Sequence, residues 1–245
     1  MLRVTAGPDQ LARRALAEFL GTGLLVAGVV GSGIAAARLS PGDVGLELLE
    51  NALATAAVLA AVIVAVGPVS GAHLNPLVTL ADRCFGGIGT SAAAAYVGAQ
   101  LAGGALGAVV ANAMFSRPAF ELSTKARTGG GLALAEAVAT FGLLLVVFGL
   151  SRTGRSSAAP FAVGAYIGGA YFFTSSTSFA NPAVAVARML TDTFSGIRPS
   201  SVPAFVGAEV AGAAVAVAAV AVLYPRARAG AERVVVPRVE EAGRG

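Results

Sequence analysis

The chain has 245 residues, a net charge of +4, 56% hydrophobic residues and 12% charged ones. A soluble domain carries about 25% charge, and disorder needs low hydrophobicity, so both classes are excluded. One Cys and one His exclude an internal disulfide framework, a cysteine-based metal cluster and a multi-histidine metal site, while modest and scattered positive charge argues against nucleic acid as a partner.

Charge-free stretches locate the membrane segments, because about 20 apolar residues cross a ~30 Å hydrocarbon core. They predict an all-α membrane protein with six transmembrane helices near 12–37, 45–66, 89–115, 130–150, 158–174 and 202–224. The first run follows Arg13 and Arg14 as a signal peptide would. It is too long for one and carries Glu18, so it reads as a true span. Between the second and third spans lies Ser70-Gly71-Ala72-His73-Leu74-Asn75-Pro76-Leu77. Between the fifth and sixth lies Thr177-Ser178-Phe179-Ala180-Asn181-Pro182-Ala183. The tail, 225–245, mixes Arg, Glu, Gly and Pro and is expected to be disordered and cytoplasmic.

Six spans put both termini on one side. That side holds 11 Lys and Arg residues, against six on the other: Arg38, Arg117, Lys125, Arg127, Arg188 and Arg198. Positive charge accumulates inside, so both termini are expected in the cytoplasm of a cell-membrane protein.

The chain also repeats. Glu18-x-x-x-Thr22 returns as Glu136-x-x-x-Thr140, Asn75-Pro76 as Asn181-Pro182, and Tyr96-Val97-Gly98-Ala99-Gln100 as Phe205-Val206-Gly207-Ala208-Glu209. The offsets are 118, 106 and 109, in one order. Two homologous halves are therefore expected, at 12–128 and 129–224. Each has three spans, so the second crosses in the opposite sense, as in proteins that build a pathway from broken helices.

Asn caps helix starts and Pro suits the first helical position. The two Asn-Pro pairs thus predict half-helices running to about Arg83 and about Leu190. Inversion brings both starts to the bilayer centre. The loops feeding them are extended backbone at membrane depth, tolerated only when buried or lining a wet cavity. Their carbonyls, the Asn amides and the positive helix ends suit a neutral hydroxylated solute and oppose cations.

The paired Asn75-Pro76-Leu77 and Asn181-Pro182-Ala183 boxes, with Ser70-Gly71-Ala72-His73 before the first, resemble the aquaporin, or major intrinsic protein, family over about 12–224. The resemblance implies six helices plus two re-entrant half-helices, a pore whose centre holds Asn75 and Asn181, a homotetramer in the lipid bilayer, and no cofactor. Gly71, Ala72, His73, Phe179 and Ala180 are then pore-lining loop residues. The family's outer filter lies 20 residues before the first Asn and 12 before, three before and three after the second. Those positions are Thr55, Gly169, Ser178 and Val184. Water-selective members carry Phe, His, a small residue and Arg there; glycerol channels keep the Arg. This chain has neither aromatic nor Arg in the set. Around Asn181 it is similar to aquaglyceroporin-like bacterial aquaporins associated with arsenic resistance. The expected activity is passive flux of small uncharged solutes: metalloid hydroxides such as arsenite, glycerol-like polyols, and water. A water-selective aquaporin is the alternative, followed by an ion-coupled secondary transporter.

Arg188 shares a helix face with Val184. It is either a pore-mouth charge or a loop-binding arginine. Glu18 and Glu136 are costly inside spans unless partnered; the family match favours carboxylates that accept loop N–H groups and brace them. Gln100 and Glu209 read as similar braces, His73 as a structural hydrogen-bonder, and Cys84 as packing. Gly103-x-x-x-Gly107 and Gly164-x-x-x-Gly168 predict close helix crossings. No nucleophile–base pair, metal-ligand set or phosphate-binding loop stands out, so neither enzyme nor ATP-driven pump is expected, and no catalytic or metal site is assigned.

Overall fold

The computed structural model describes residues 8–225. It consists of helices α1 (Pro8–Leu39), α2 (Val44–Ser70), α3 (Pro76–Phe85), α4 (Thr90–Met114), α5 (Gly130–Arg152), α6 (Ala159–Phe173), α7 (Pro182–Ala187) and α8 (Val202–Leu223). The expected disordered tail, apart from Pro225, lies outside the described residues.

Five of these helices, α1, α2, α4, α5 and α8, are long and apolar enough to cross a membrane. The sixth expected span, α6, has 15 residues, or roughly 22 Å of helix. A 3-10 turn at Ser156–Ala158 leads into it and extends its reach. Large apolar side chains such as Leu20, Leu24, Phe161, Phe172 and Val215 are exposed, while Glu18, Gln100, Glu136 and Glu209 are buried. That inversion of the soluble pattern suits a lipid surround.

Local chemistry sets the breaks. Pro68 sits near the end of α2, and Gly71 closes it with φ 90° and an N–H donated to the Gly67 carbonyl. The Asn75 side chain caps α3, which ends at Gly86 with φ 86°. The Asn181 side chain caps α7. The first half-helix extends to Phe85, two residues past its expected end. The second is α-helical only to Ala187 and then tightens into a 3-10 turn at Arg188–Leu190. Cys84 is exposed, not packed.

Helix α1 packs against α4 and α2, α5 against α8 and α6, and α2 against α6. Glycine makes these approaches close. A Cβ on Gly103 would lie 2.1 Å from the Phe19 carbonyl oxygen, and one on Gly107 would lie 2.2 Å from that of Gly23. In α8, a Cβ on Gly212 would lie 2.1 Å from the Ala137 carbonyl oxygen. Phe19 and Ala137 each follow a buried glutamate, so the same backbone-to-backbone crossing occurs twice, between α1 and α4 and between α5 and α8. At the second crossing predicted from glycine spacing, a Cβ on Gly164 would meet the Ala56 carbonyl oxygen at 2.8 Å.

The 115–129 segment lies over the segment after α7. Ser123 N–H donates to the Met189 carbonyl at 2.9 Å, and Arg198 N–H to the Lys125 carbonyl at 2.8 Å. It thereby roofs one end of the bundle and carries Arg127 inward.

Candidate functional site

The two re-entrant loops are built alike. Ala72 and Leu74 adopt left-handed backbone at φ 48° and 52°, and Ser178 and Ala180 at φ 51° and 48°. In each loop these are the third and first residues before the Asn. Left-handed backbone costs an L-residue about 1–2 kcal/mol, so the loops need holding.

Buried carboxylates hold them. Glu18 accepts the His73 and Leu74 N–H groups at 2.9 and 2.7 Å, together with the Ser70 hydroxyl and the Gln100 amide. Glu136 accepts the Phe179 and Ala180 N–H groups at 2.9 and 2.8 Å. Glu209 accepts the next one, Asn181 N–H, at 3.0 Å. The first strained loop therefore hangs from Glu18 and the second from Glu136 and Glu209 together, and charge-assisted bonds are the strong kind.

The loops meet at their asparagines. Asn75 Nδ2 donates to the Ala180 carbonyl at 2.7 Å, and Asn181 Nδ2 donates to the Leu74 carbonyl at 2.8 Å. Their Oδ1 atoms cap α3 and α7 by accepting from Leu77 N–H and Ala183 N–H. A primary amide has two N–H groups; one crosses to the other loop, and the other remains for the cavity that both residues line.

That cavity has a volume of about 60 Å³, room for roughly four to six waters. Most of its wall is apolar, with Leu59, Ile63, Val163 and Ile167 among its residues. Polar groups come from Thr55, Tyr171, Ser178, His73, the two asparagines and Arg188. The Thr55 and Tyr171 hydroxyls are 3.1 Å apart. Ser178 Oγ is buried with no hydrogen-bond partner among the described residues. The His73 side chain is wholly buried, with Nδ1 paired to the Thr79 hydroxyl at 3.0 Å and Nε2 3.7 Å from Asp82 Oδ2, so the residue meets the cavity through its backbone.

Thr55, Ser178 and Val184 thus share one wall, as do Ala72, His73 and Phe179. Gly169 does not join them. It is exposed on α6, and an added Cβ there would meet nothing within 4 Å. Tyr171 faces the cavity instead, in helical register with Val163 and Ile167. The ungapped count back from Asn181 missed the inward face of α6. Gly71 and Ala180 are also not among the lining residues: the first caps α2 and the second lends its carbonyl to Asn75. Leu77 is buried away from the cavity, so its bulk falls between packed elements and not on the wall. Pro76, Pro182 and Ala183 are buried in the half-helix starts.

Arg188 lines the cavity, is 2% exposed, donates Nε–H to the Ser195 carbonyl and places its guanidinium 3.5 Å from the Phe179 ring centre. Arg127, counted in the sequence only as a loop charge, reaches the same ring at 5.0 Å and donates to the Gly196, Ser176 and Phe194 carbonyls. Burial lowers the Arg127 pKa from its ordinary value. Nearby, Lys125 is brought down to about 8, by burial first and then by the charges of Arg127 and Arg188.

Residues 8–180 match the profile of the family described as Major intrinsic protein. The chain belongs to the major intrinsic protein family. It is 50% identical over 218 residues to the aquaglyceroporin AqpS of Rhizobium meliloti (strain 1021), covering 89% of this chain and 93% of that protein. It is 37% identical over 171 residues to the probable aquaporin TIP-type alpha of Phaseolus vulgaris, covering 66% of each. Its fold matches the X-ray structure of the aquaglyceroporin from Plasmodium falciparum with a TM-score of 0.66, at 21% identity over 88% of this chain and 96% of that one. As a member of this family, the protein is a multi-pass membrane channel for small solutes, and the cavity between the Asn-Pro boxes is its candidate pathway.

Proposed function

We propose that the channel conducts small uncharged polyhydroxylated solutes and water, passively and without catalysis. Glycerol-like polyols and the neutral trihydroxide form of arsenite are the solutes that fit. The carrying observation is the composition of the outer wall: the hydroxyls of Thr55, Tyr171 and Ser178 beside Val184, with apolar side chains between. Hydroxyl groups exchange hydrogen bonds with a hydroxylated solute, and an apolar wall offers it no competing strong site. The two asparagine amides supply donors where the loops meet. In this reading, 12–128 and 129–224 are inverted halves, the reciprocal Asn75–Ala180 and Asn181–Leu74 bonds join them, Glu18 and Glu136 brace the loops, and the protein is a homotetramer of the cell membrane with both termini cytoplasmic. Similarity to an aquaglyceroporin supports solute flux over strict water selectivity.

Val184→Arg tests this. A guanidinium there fills the outer cavity, so glycerol and arsenite flux into proteoliposomes should fall at least tenfold while water flux falls less. Solute flux unchanged by the substitution, in folded protein, would remove Val184 from the pathway. Flux that saturates and depends on an ion gradient would instead indicate a coupled transporter.

A further inference from the structure

Val184 leaves the outer wall without a charge of its own, yet the wall is not uncharged. Arg188 stands one helical turn further along. It lines the same cavity as Val184 and Ser178 and is almost fully buried. We propose that Arg188, laid on the Phe179 ring, supplies the positive charge that keeps cations out of this pathway, in place of a charge at 184. The proposal rests on the channel reading above.

Three observations carry it. First, the guanidinium is fixed. Nε–H donates to the Ser195 carbonyl, and the carbon of the head lies 3.5 Å from the Phe179 ring centre. A planar cation on an aromatic face is held by the ring quadrupole and stays charged. Second, the charge is not neutralised. Among the described residues, no carboxylate pairs with Arg188. The nearby Glu136 spends its two oxygens on the Phe179 and Ala180 N–H groups. Third, its donors are not used up. A guanidinium has five N–H groups, and the described residues take only the one on Nε, leaving the head for the cavity.

Arg127 shows what a purely structural arginine looks like in the same place. It also sits over Phe179, but Nε and both Nη atoms donate to backbone carbonyls, and it does not line the cavity. A loop staple is satisfied all round; Arg188 is satisfied on one side. Arg127 adds a second positive charge beside the same ring, which strengthens the barrier.

This division of labour separates size from charge. Val184 keeps the opening wide enough for a solute with several hydroxyls. Arg188 repels a cation of the same size, and its N–H groups donate to solute oxygens.

The test compares planar molecules of nearly equal size, neutral urea and the guanidinium cation, in proteoliposomes whose glycerol swelling is measured in parallel. Wild-type protein should swell in glycerol and exclude guanidinium. Arg188→Gln, which takes donors as well as the charge from the wall, should lower glycerol flux and yet raise guanidinium entry, relative to urea in the same variant, at least tenfold. Arg188→Lys, which retains charge without the planar stack, should stay closed to guanidinium. If Arg188→Gln does not give folded protein, Arg188→Met provides a neutral chain of similar length for the same comparison. Guanidinium entering wild-type protein as readily as urea overturns the proposal. So does a neutral variant that passes glycerol and still excludes guanidinium, which would leave the barrier to the half-helix ends. No glycerol swelling in wild-type protein is a separate result and overturns the channel reading itself.

Discussion

The Tyr171 hydroxyl lies 3.1 Å from the Thr55 hydroxyl, joining α6 to α2 at the cavity wall. Both side chains are buried, so neither hydroxyl has bulk water to turn to. Each can donate to the other or to a solute, at little cost in exchanging partners. The pair acts as a polar rung on an apolar wall.

Tyr171, and not Gly169, should therefore govern which solutes pass. Gly169→Ala adds a methyl to an exposed helix position where nothing lies within 4 Å. Selectivity should not change, and stability should rise by about 0.5–1 kcal/mol, as for Gly to Ala in a helix. Tyr171→Ala removes a ring from the wall. Polyols longer than glycerol should then enter at least fivefold faster, with little gain for water. Swelling in a series of polyols of increasing length reads both variants. A selectivity change in Gly169→Ala with none in Tyr171→Ala would return position 169 to the pathway.

Lys125 gives the roof segment a pH signature. Its pKa is about 8 in the folded protein against an ordinary 10.5. Burial is the larger cause, and the Arg127 and Arg188 charges add to it. A folded-state pKa below the unfolded one means the unfolded chain binds more protons between those values. Stability therefore rises as pH climbs from about 8 toward 10.5, and the full penalty is present below about 8. Its ammonium is partly repaid by the Phe194 carbonyl at 2.7 Å and the Phe194 ring at 4.8 Å. Thermal unfolding of purified protein should show the midpoint rising between pH 8 and 10, and Lys125→Gln should reduce that rise. An identical slope in the variant would mean the pH response lies elsewhere.

The half-helices and their braces were legible because their chemistry is local. Asn-Pro carries its own cap, and a glutamate inside a span demands a partner wherever it falls. The wall of the cavity was not legible in the same way. Helix α6 is apolar nearly all round, so its sequence carries no polar stripe to say which side faces inward. Counting back from Asn181 ignored the irregular turn at Thr174–Thr177 and landed on Gly169. Arg127 was missed for a different reason. It reaches Phe179 by the path of a long loop over the bundle, and no spacing in the chain records that path. Arg188 was legible as a position, four residues after Val184, but its partners Ser195 and Phe179 belong to tertiary structure.

The bracing role of the buried glutamates makes a sharper prediction than simple loss of function. All four groups on Glu18 are donors: the Ser70 hydroxyl and His73 N–H on Oε1, and Leu74 N–H and the Gln100 amide on Oε2. Glu18→Gln keeps the shape but turns an NH₂ group toward two of those donors. Leaving buried donors unmatched costs about 1–3 kcal/mol each, in a loop that already carries left-handed backbone at Ala72 and Leu74. The variant should lose on the order of 3 kcal/mol and most of its solute flux. Glu136→Gln should behave likewise, because both its oxygens accept backbone N–H groups. Glu209→Gln should not. Its Oε1 accepts Asn181 N–H while its Oε2 has no hydrogen-bond partner among the described residues, and Gln already fills the matching position of the sequence repeat, at 100. The amide oxygen can still accept from Asn181, and one buried carboxyl beside Glu136 is removed. Thermal unfolding of the three variants in detergent should therefore rank Glu209→Gln at or above wild type and the other two well below it. If Glu18→Gln proves as stable as Glu209→Gln, the loops are held by packing and not by the carboxylates.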